Sequence, residues 1–298
     1  MHILDGHTRT CGLIGNPVAH TQSPMIQNYM AQVAGENLVY LPFPVAQGNL
    51  EAAVRGALAM DFLGLNVTVP YKSDVIAYLA QIDPLAERIG AVNTLVRCEG
   101  GYKGYNTDMP GLHRAMQQEG VEIAGREVVV LGAGGVARAV AVMLLDKGAA
   151  GVHILNRTVD RAGAVAEEIN RMAGRTFAKA YALSDYERIP GDGWLVIQAT
   201  SVGMHPHVED VIIDVPEFYR RVEIGYDLIF NPDVTRFMEL TKAAGGRAYN
   251  GTRMLVYQGI IAFELWTGAS IGQDVADELC LRMTSPSGGS RTQGEIYE

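Results

Sequence analysis

The sequence predicts an α/β protein of two domains, an N-terminal α/β domain completed by C-terminal helices and a middle domain built on an open parallel sheet. Three observations predict it. Strand-like and helix-like segments alternate through most of the chain, the order that covers a sheet with helices. A glycine-rich turn, Gly132-Ala133-Gly134-Gly135, joins the apolar run 128–131 to a small-residue helical pattern. The 298 residues, 48% of them hydrophobic, suffice for two buried cores.

Taken in order, residues 10–14 read as a first strand, ended by Gly15-Asn16-Pro17. Ser23-Pro24 reads as an N-cap followed by proline at the first helical position, and Gly35 closes that helix. Residues 37–45 alternate like a strand, 47–60 are alanine-rich and helical, and 64–69 form a β-branched run stopped by Pro70. Polar helices are expected near 74–79 and 84–89, and the runs 91–97 and 102–105 flank Glu99-Gly100-Gly101 as a β-hairpin. Pro110-Gly111 reads as an interruption, with a helix over 112–118 beyond it.

The helix after the glycine turn runs to Lys147 and stops at Gly148. Strands recur at 152–155, 195–199 and 223–228, with helices such as 161–172 between them. The helical patterns 252–267, ended by Gly268, and 274–283 have no strand after them, so they are expected to pack back onto the first domain. The expected division is therefore 1–109 with 251–284, then 110–250, and a tail over 285–298 too poor in apolar residues to fold.

Composition narrows the function classes. A formal net charge of -9 and a pI near 5.3 argue against a nucleic-acid partner, which needs a basic face. The N-terminus lacks the basic and apolar regions of a signal peptide, and the apolar run 255–266 is broken by Gln258 and Glu264, so no membrane partner and a cytoplasmic location are expected. Cys11, Cys98 and Cys280 lack metal spacing, and their odd number suits a reducing compartment. His205 and His207 have no third ligand at a recognisable spacing, so no metal site is expected.

The glycine turn carries the first chemical inference. Gly132 and Gly134 allow a sharp turn and close approach of the backbone to a pyrophosphate. Gly135 opens the helix, whose N-terminus offers unpaired N–H groups, and Ala137 is small where helix meets strand. A Rossmann-type dinucleotide site follows. An NAD site carries a carboxylate about 20 residues past the glycines. Here the second strand ends in Asn156-Arg157-Thr158, and no carboxylate comes before Asp160. Arg157 and Arg161 suit a 2′-phosphate clamp, with Asn156 and Thr158 adding neutral hydrogen bonds, so NADP is the expected cofactor.

Polar residues of the first domain fall where strands or helices end, the usual place for a site in an α/β sheet. Each alone is ordinary: Ser23 or Asp108 a helix cap, Lys72 a surface cation, Asn93 a polar strand residue. In combination, Gly12-Leu13-Ile14-Gly15-Asn16-Pro17-Val18-Ala19-His20-Thr21-Gln22-Ser23-Pro24, Asn66-Val67-Thr68-Val69-Pro70-Tyr71-Lys72, Gly90-Ala91-Val92-Asn93-Thr94 and Gly104-Tyr105-Asn106-Thr107-Asp108 resemble the shikimate dehydrogenase family. The resemblance continues through the glycine turn, Asn156-Arg157-Thr158, Ala199-Thr200-Ser201-Val202-Gly203-Met204, Tyr226-Asp227-Leu228 and the stretch from Asn250-Gly251 to Gln258.

That resemblance implies an enzyme that interconverts 3-dehydroshikimate and shikimate with a nicotinamide cofactor, a step of aromatic amino-acid biosynthesis. It places the family's catalytic lysine and aspartate on Lys72 and Asp108, and its substrate-binding positions on Thr21, Ser23, Thr68, Asn93, Tyr226 and Gln258. By the same resemblance Ala133, Thr200 and Gly251 join the cofactor-binding positions. The chemistry agrees: when hydride leaves a carbinol carbon the hydroxyl proton must be taken, so one group acts as base and, in reverse, as acid.

Three departures from the family pattern stand out. Thr21 replaces the common serine, which leaves shikimate and quinate hard to separate by inspection, because quinate carries one more hydroxyl at the carboxylate-bearing carbon. Arg253 follows Gly251-Thr252 where many members are smaller or apolar, and reads as a solvated helix residue. Gln198 replaces an asparagine, with no functional account from sequence. The alternatives are a quinate/shikimate dehydrogenase of broader substrate or cofactor use and, from another class, a non-catalytic NADP-binding regulator. The assembly expected is a monomer or homodimer.

Overall fold

A computed structural model of the chain describes residues 4–284. The tail expected over 285–298 lies outside the described residues. Two six-stranded sheets organise the fold. The first is formed by β1 (Arg9–Gly15), β2 (Leu38–Pro44), β3 (Gly64–Val67), β4 (Gln81–Ile82), β5 (Thr94–Cys98) and β6 (Gly101–Tyr105), in the order β2-β1-β3-β5-β6-β4. β1 pairs in parallel with β2 and β3, while β5 runs antiparallel to both β3 and β6, so this sheet is mixed. Pro42 and Pro44 sit in β2, where an edge strand tolerates a missing ladder donor. β5 and β6 form the expected hairpin, with Gly100 and Gly101 at φ 81° and 152°, a backbone that side chains resist.

The second sheet, β7 (Glu127–Leu131), β8 (Gly151–Asn156), β9 (Ala178–Ala182), β10 (Trp194–Gln198), β11 (Val222–Asp227) and β12 (Arg247–Tyr249), is wholly parallel in the order β12-β11-β10-β7-β8-β9. This is the doubly wound order, and its reversal point lies between β7 and β10. Val128 to Val130 on β7 and Leu195 to Ile197 on β10 are fully buried, because helices cover both faces. Sequence pattern missed β9, which is alanine-rich, and β12, a three-residue edge strand.

The helices are α1 (Ser23–Ala34), α2 (Leu50–Ala59), α3 (Pro84–Ile89), α4 (Asp108–Gln118), α5 (Gly135–Asp146), α6 (Val159–Ala173), α7 (Pro216–Tyr219), α8 (Arg236–Ala243), α9 (Thr252–Thr267) and α10 (Gln273–Thr284). The expected helix near 74–79 is a 3-10 turn, Asp74–Tyr78. Two local expectations are corrected. Ser23 is not the N-cap of α1: Gln22 holds that position without a side-chain cap, and Ser23 is the first helical residue, its N–H donating to Thr21 Oγ1 at 3.2 Å. Pro110-Gly111 does not interrupt the chain, because α4 runs straight through it. Proline in a first turn lacks only an N–H that has no helical partner there. The boundary expected at 109/110 thus falls inside a helix.

Gly111 has a packing reason to be glycine. A Cβ there would stand 2.7 Å from the Gln258 backbone nitrogen, so α4 and α9 approach backbone to backbone at this point. α9 and α10 complete a core with β1 and α1: Cys11, Ile26, Met30, Val256, Ile260, Phe263, Ala276 and Leu279 pack together there. No helix among the described residues is long and apolar enough to cross a membrane.

Where α4 ends, a charged cluster joins the segments that connect the two sheets. The Tyr226 hydroxyl donates to Glu119 Oε2 at 2.7 Å, and the Tyr226 ring stacks on Tyr249 with centroids 5.9 Å apart. Arg253 lies 3.6 Å from Glu119 Oε1 and 2.8 Å from Asp277 Oδ1. Arg253 is therefore not the solvated residue expected, but a link between the start of α9 and α10.

Burial raises the Glu119 carboxyl to about 7, against the hydrogen bond from Tyr226 and the charge of Arg253. A carboxyl raised on folding contributes stability that is present below its unfolded value, about 4.5, and lost as pH climbs through about 7. Glu119→Gln is expected to abolish that loss. The variant should gain Tm over the parent at pH 8, worth at most about 3 kcal/mol, and almost nothing at pH 4. Thermal melts at the two pH values test it, and an equal offset at both would refute the assignment.

Candidate active site

At the C-terminal edge of the first sheet, a cavity of ≈ 270 Å³ is lined by Thr21, Ser23, Asn66, Thr68, Lys72, Asn93, Asp108, Phe230 and Gln258, among others. A second, ≈ 820 Å³, lies between the two sheets and is lined in part by Gly135, Ala199, Thr200, Ser201, Met204, Leu228 and Met254. Lys72 and Asp108 line both. The two spaces therefore meet at one ion pair, Lys72 Nζ to Asp108 Oδ2 at 2.6 Å.

That pair is built from two elements. Lys72 follows the turn after β3, and Asp108 is the first residue of α4, where the helix dipole favours a negative charge. Asp108 Oδ1 accepts from Asn93 Nδ2 at 2.9 Å, leaving Oδ2 for the lysine. Asn93 is fixed in turn: its Oδ1 accepts from the Thr107 N–H at 2.8 Å, and Nδ2 also donates to Thr107 Oγ1 at 3.0 Å. A further chain reaches Asn66, whose Nδ2 donates to Thr94 Oγ1 at 3.0 Å and whose Oδ1 accepts from the Tyr40 hydroxyl at 2.7 Å. The buried network holds the carboxylate in one orientation while the lysine side chain keeps 33% of its surface exposed, open to a reactant.

Thr21 and Ser23 place two hydroxyls 3.1 Å apart at the start of α1, against the small cavity. Gln258 enters from α9, its Nε2 donating to the Leu255 carbonyl at 2.8 Å. Seven of the eight expected catalytic and substrate positions line this one space; Tyr226 does not. Tyr226 is fully buried, its hydroxyl spent on Glu119, because alternation along β11 turns it into the core. The aromatic side chain that does line the cavity is Phe230, 43% exposed in the loop after β11. Residues just past a parallel strand's C-terminal end are where ligands sit, and that signal could have found it.

The cofactor positions fall at the same edge of the second sheet. Gly132 has φ 114°, and a Cβ on it would meet Thr200 Cγ2 at 2.7 Å, so glycine is required both for the turn and for the close pass of the neighbouring loop. Ala133 is half-buried beside it and Ala137 is buried. Gly134 and Gly135 face open space: nothing stands within 4 Å of a Cβ built on either. This exposed turn at the N-terminus of α5 leaves room for a pyrophosphate. The Gly132 N–H donates to the Leu155 carbonyl at 2.8 Å, which sets the end of β8, and hence Asn156-Arg157-Thr158, beside the turn. The Arg157 and Arg161 side chains are exposed and form no hydrogen bond or ion pair among the described residues, while Asn156 Nδ2 donates to the Thr158 carbonyl at 2.8 Å. Two unpaired guanidiniums near a helix N-terminus fit a phosphorylated ribose. Gly251 caps α9 with its N–H on the Ile229 carbonyl at 2.8 Å, and a side chain there would collide with the Leu228 carbonyl; it shapes the cavity wall and is not part of the lining.

The cysteines form no cluster. Burial pushes the Cys11 thiol up to about 12 and the Cys280 thiol to about 11, away from reactivity. Among the described residues no group of side chains is arranged to hold a metal ion.

The chain is similar to known proteins. The family model for the shikimate dehydrogenase substrate binding domain matches residues 13–95, that for shikimate / quinate 5-dehydrogenase matches 114–207, and that for the shikimate 5'-dehydrogenase C-terminal domain matches 251–277. A shikimate dehydrogenase (NADP(+)) from Moorella thermoacetica is 41% identical over 96% of this chain and 97% of its own length. The shikimate 5-dehydrogenase of Thermus thermophilus, solved in complex with NADP(H) and shikimate, has a TM-score of 0.80 at 33% identity, covering 92% of this chain and 99% of that one. Quinate dehydrogenase from Corynebacterium glutamicum, in complex with NAD, has a TM-score of 0.82 at 29% identity over 92% of this chain and 99% of that one.

Proposed function

Because the chain belongs to the shikimate dehydrogenase family, we propose that it is an NADP-dependent shikimate dehydrogenase, reversibly reducing 3-dehydroshikimate to shikimate. The observation that carries this reading is the junction of the two cavities at Lys72 and Asp108. A hydride can pass only between groups in contact, and the proton must leave from the same carbinol, so the proton-handling group has to stand where substrate and cofactor spaces meet.

In the direction of oxidation, Thr21 and Ser23 hold the substrate carboxylate through their hydroxyls, helped by the N-terminus of α1. Thr68 and Gln258 bind the ring hydroxyls, Asn93 lines the same space while holding Asp108, and Phe230 covers an apolar face. Lys72, in its neutral form, takes the hydroxyl proton as the carbinol carbon becomes a ketone; in reverse the ammonium returns it. Asp108 orients the lysine and remains tied to Asn93. NADP+ supplies the hydride acceptor when bound. The residues present suit it: Gly134 and Gly135 leave space at the α5 N-terminus, and Arg157 with Arg161 offers charge for the 2′-phosphate.

We further read residues 1–109 with 251–284 as the substrate unit and 110–250 as the NADP unit, with α4 and α9 as their shared spine. Three unbridged cysteines support a reducing, cytoplasmic setting. The test is NADPH formation from shikimate, set against quinate and against NAD+.

A further inference from the structure

Gln198, the last residue of β10, is 1% exposed and sits beside the reversal point of the second sheet. A primary amide can accept two hydrogen bonds and donate two, and this one uses all four. Oε1 accepts from the Thr200 N–H at 2.6 Å and from Thr200 Oγ1 at 2.8 Å; Nε2 donates to the Val202 carbonyl at 3.1 Å and to Asp227 Oδ1 at 3.4 Å. The first three bonds shape the loop whose residues Thr200, Ser201 and Met204 wall the larger cavity. The fourth reaches a different loop. Asp227, fully buried, also accepts from the Ile229 N–H at 3.0 Å and from Thr235 Oγ1 at 2.6 Å, and so folds the segment that brings Leu228 and Ile229 to the larger cavity and Phe230 to the smaller one.

We propose that Gln198 is a positioning residue for hydride transfer, whose single amide sets the loop walling the NADP cavity and, through Asp227, the loop that carries Phe230 to the substrate. The inference rests on the functional reading above. Its physical basis is reach. Asparagine at this position keeps an oxygen for the Thr200 N–H, as an Asx turn does, but is roughly 1.5 Å shorter. The bond to Asp227 is already near the outer limit, so that arm is lost first. The two arms are therefore separable.

The experiment compares Gln198→Asn and Gln198→Leu with the parent in the full-length protein, reading the NADP+ Kd by calorimetry without substrate, the KM for shikimate at saturating NADP+, kcat and Tm. Gln198→Asn should keep the NADP+ Kd within about twofold and raise the shikimate KM about three- to tenfold, the size of one lost hydrogen bond. Gln198→Leu should raise both constants at least about threefold. The proposal is overturned if the asparagine variant moves both constants equally, or if it lowers Tm while leaving the shikimate KM unchanged. Should the leucine variant not fold, the asparagine variant alone decides. A parent protein that binds NADP+ without oxidising shikimate overturns the functional reading instead, and the calorimetric constants, unchanged in Gln198→Asn and weakened in Gln198→Leu, still decide the cofactor arm.

Discussion

Lys72→Ala is expected to lower kcat for shikimate oxidation by about 10²-fold or more while leaving the fold and NADP+ binding intact. The size follows from what is removed. No other basic side chain lines both cavities, so the hydroxyl proton would have to leave to water while hydride transfer proceeds. Asp108 stays in place through Asn93, and a side chain one-third exposed contributes little to packing. Steady-state rates under conditions where chemistry limits turnover, with NADP+ affinity measured alongside, check this. A variant with the parent's kcat would remove Lys72 from the mechanism.

Arg157→Ala is expected to raise the KM for NADP+ by about 10- to 100-fold, the worth of charge-assisted hydrogen bonds to a phosphate, and to leave the KM for NAD+ within about twofold. Arg157 has no competing partner among the described residues, so removing it should strand no buried charge and cost little stability. The discriminating quantity is the ratio of the two KM changes. Equal effects on both dinucleotides would mean that Arg157 shapes the loop without reading the 2′-phosphate.

Much of this site was legible in the sequence because the backbone demanded particular residues. Gly132 must adopt a positive φ beside Thr200, and the β5–β6 hairpin needs glycine at its turn; such requirements leave marks that spacing reveals. The apolar strands of the second sheet and the long apolar α9 were equally visible. What stayed hidden depends on the third dimension. Pro110-Gly111 resembles a break until α9 is seen crossing Gly111, and Tyr226 resembles a ligand position until β11 turns it toward Glu119. Gln198 carried no readable role, since its four hydrogen bonds join residues up to 29 positions away. The same is true of Arg138, which joins α5 to the Ile89 carbonyl at the end of α3 and pairs with Glu168 across to α6.

The substrate is the point at which Thr21 matters most, because it lines the smaller cavity and, in the proposed binding mode, its hydroxyl holds the carboxylate. The most direct measurement is therefore the initial rate of the purified protein with shikimate and with quinate, each with NADP+ and with NAD+. The proposed function predicts that kcat/KM is highest for shikimate with NADP+ and at least about tenfold lower when either partner is exchanged, one good polar contact being worth about that factor. A comparable kcat/KM for quinate, or a preference for NAD+, would contradict it.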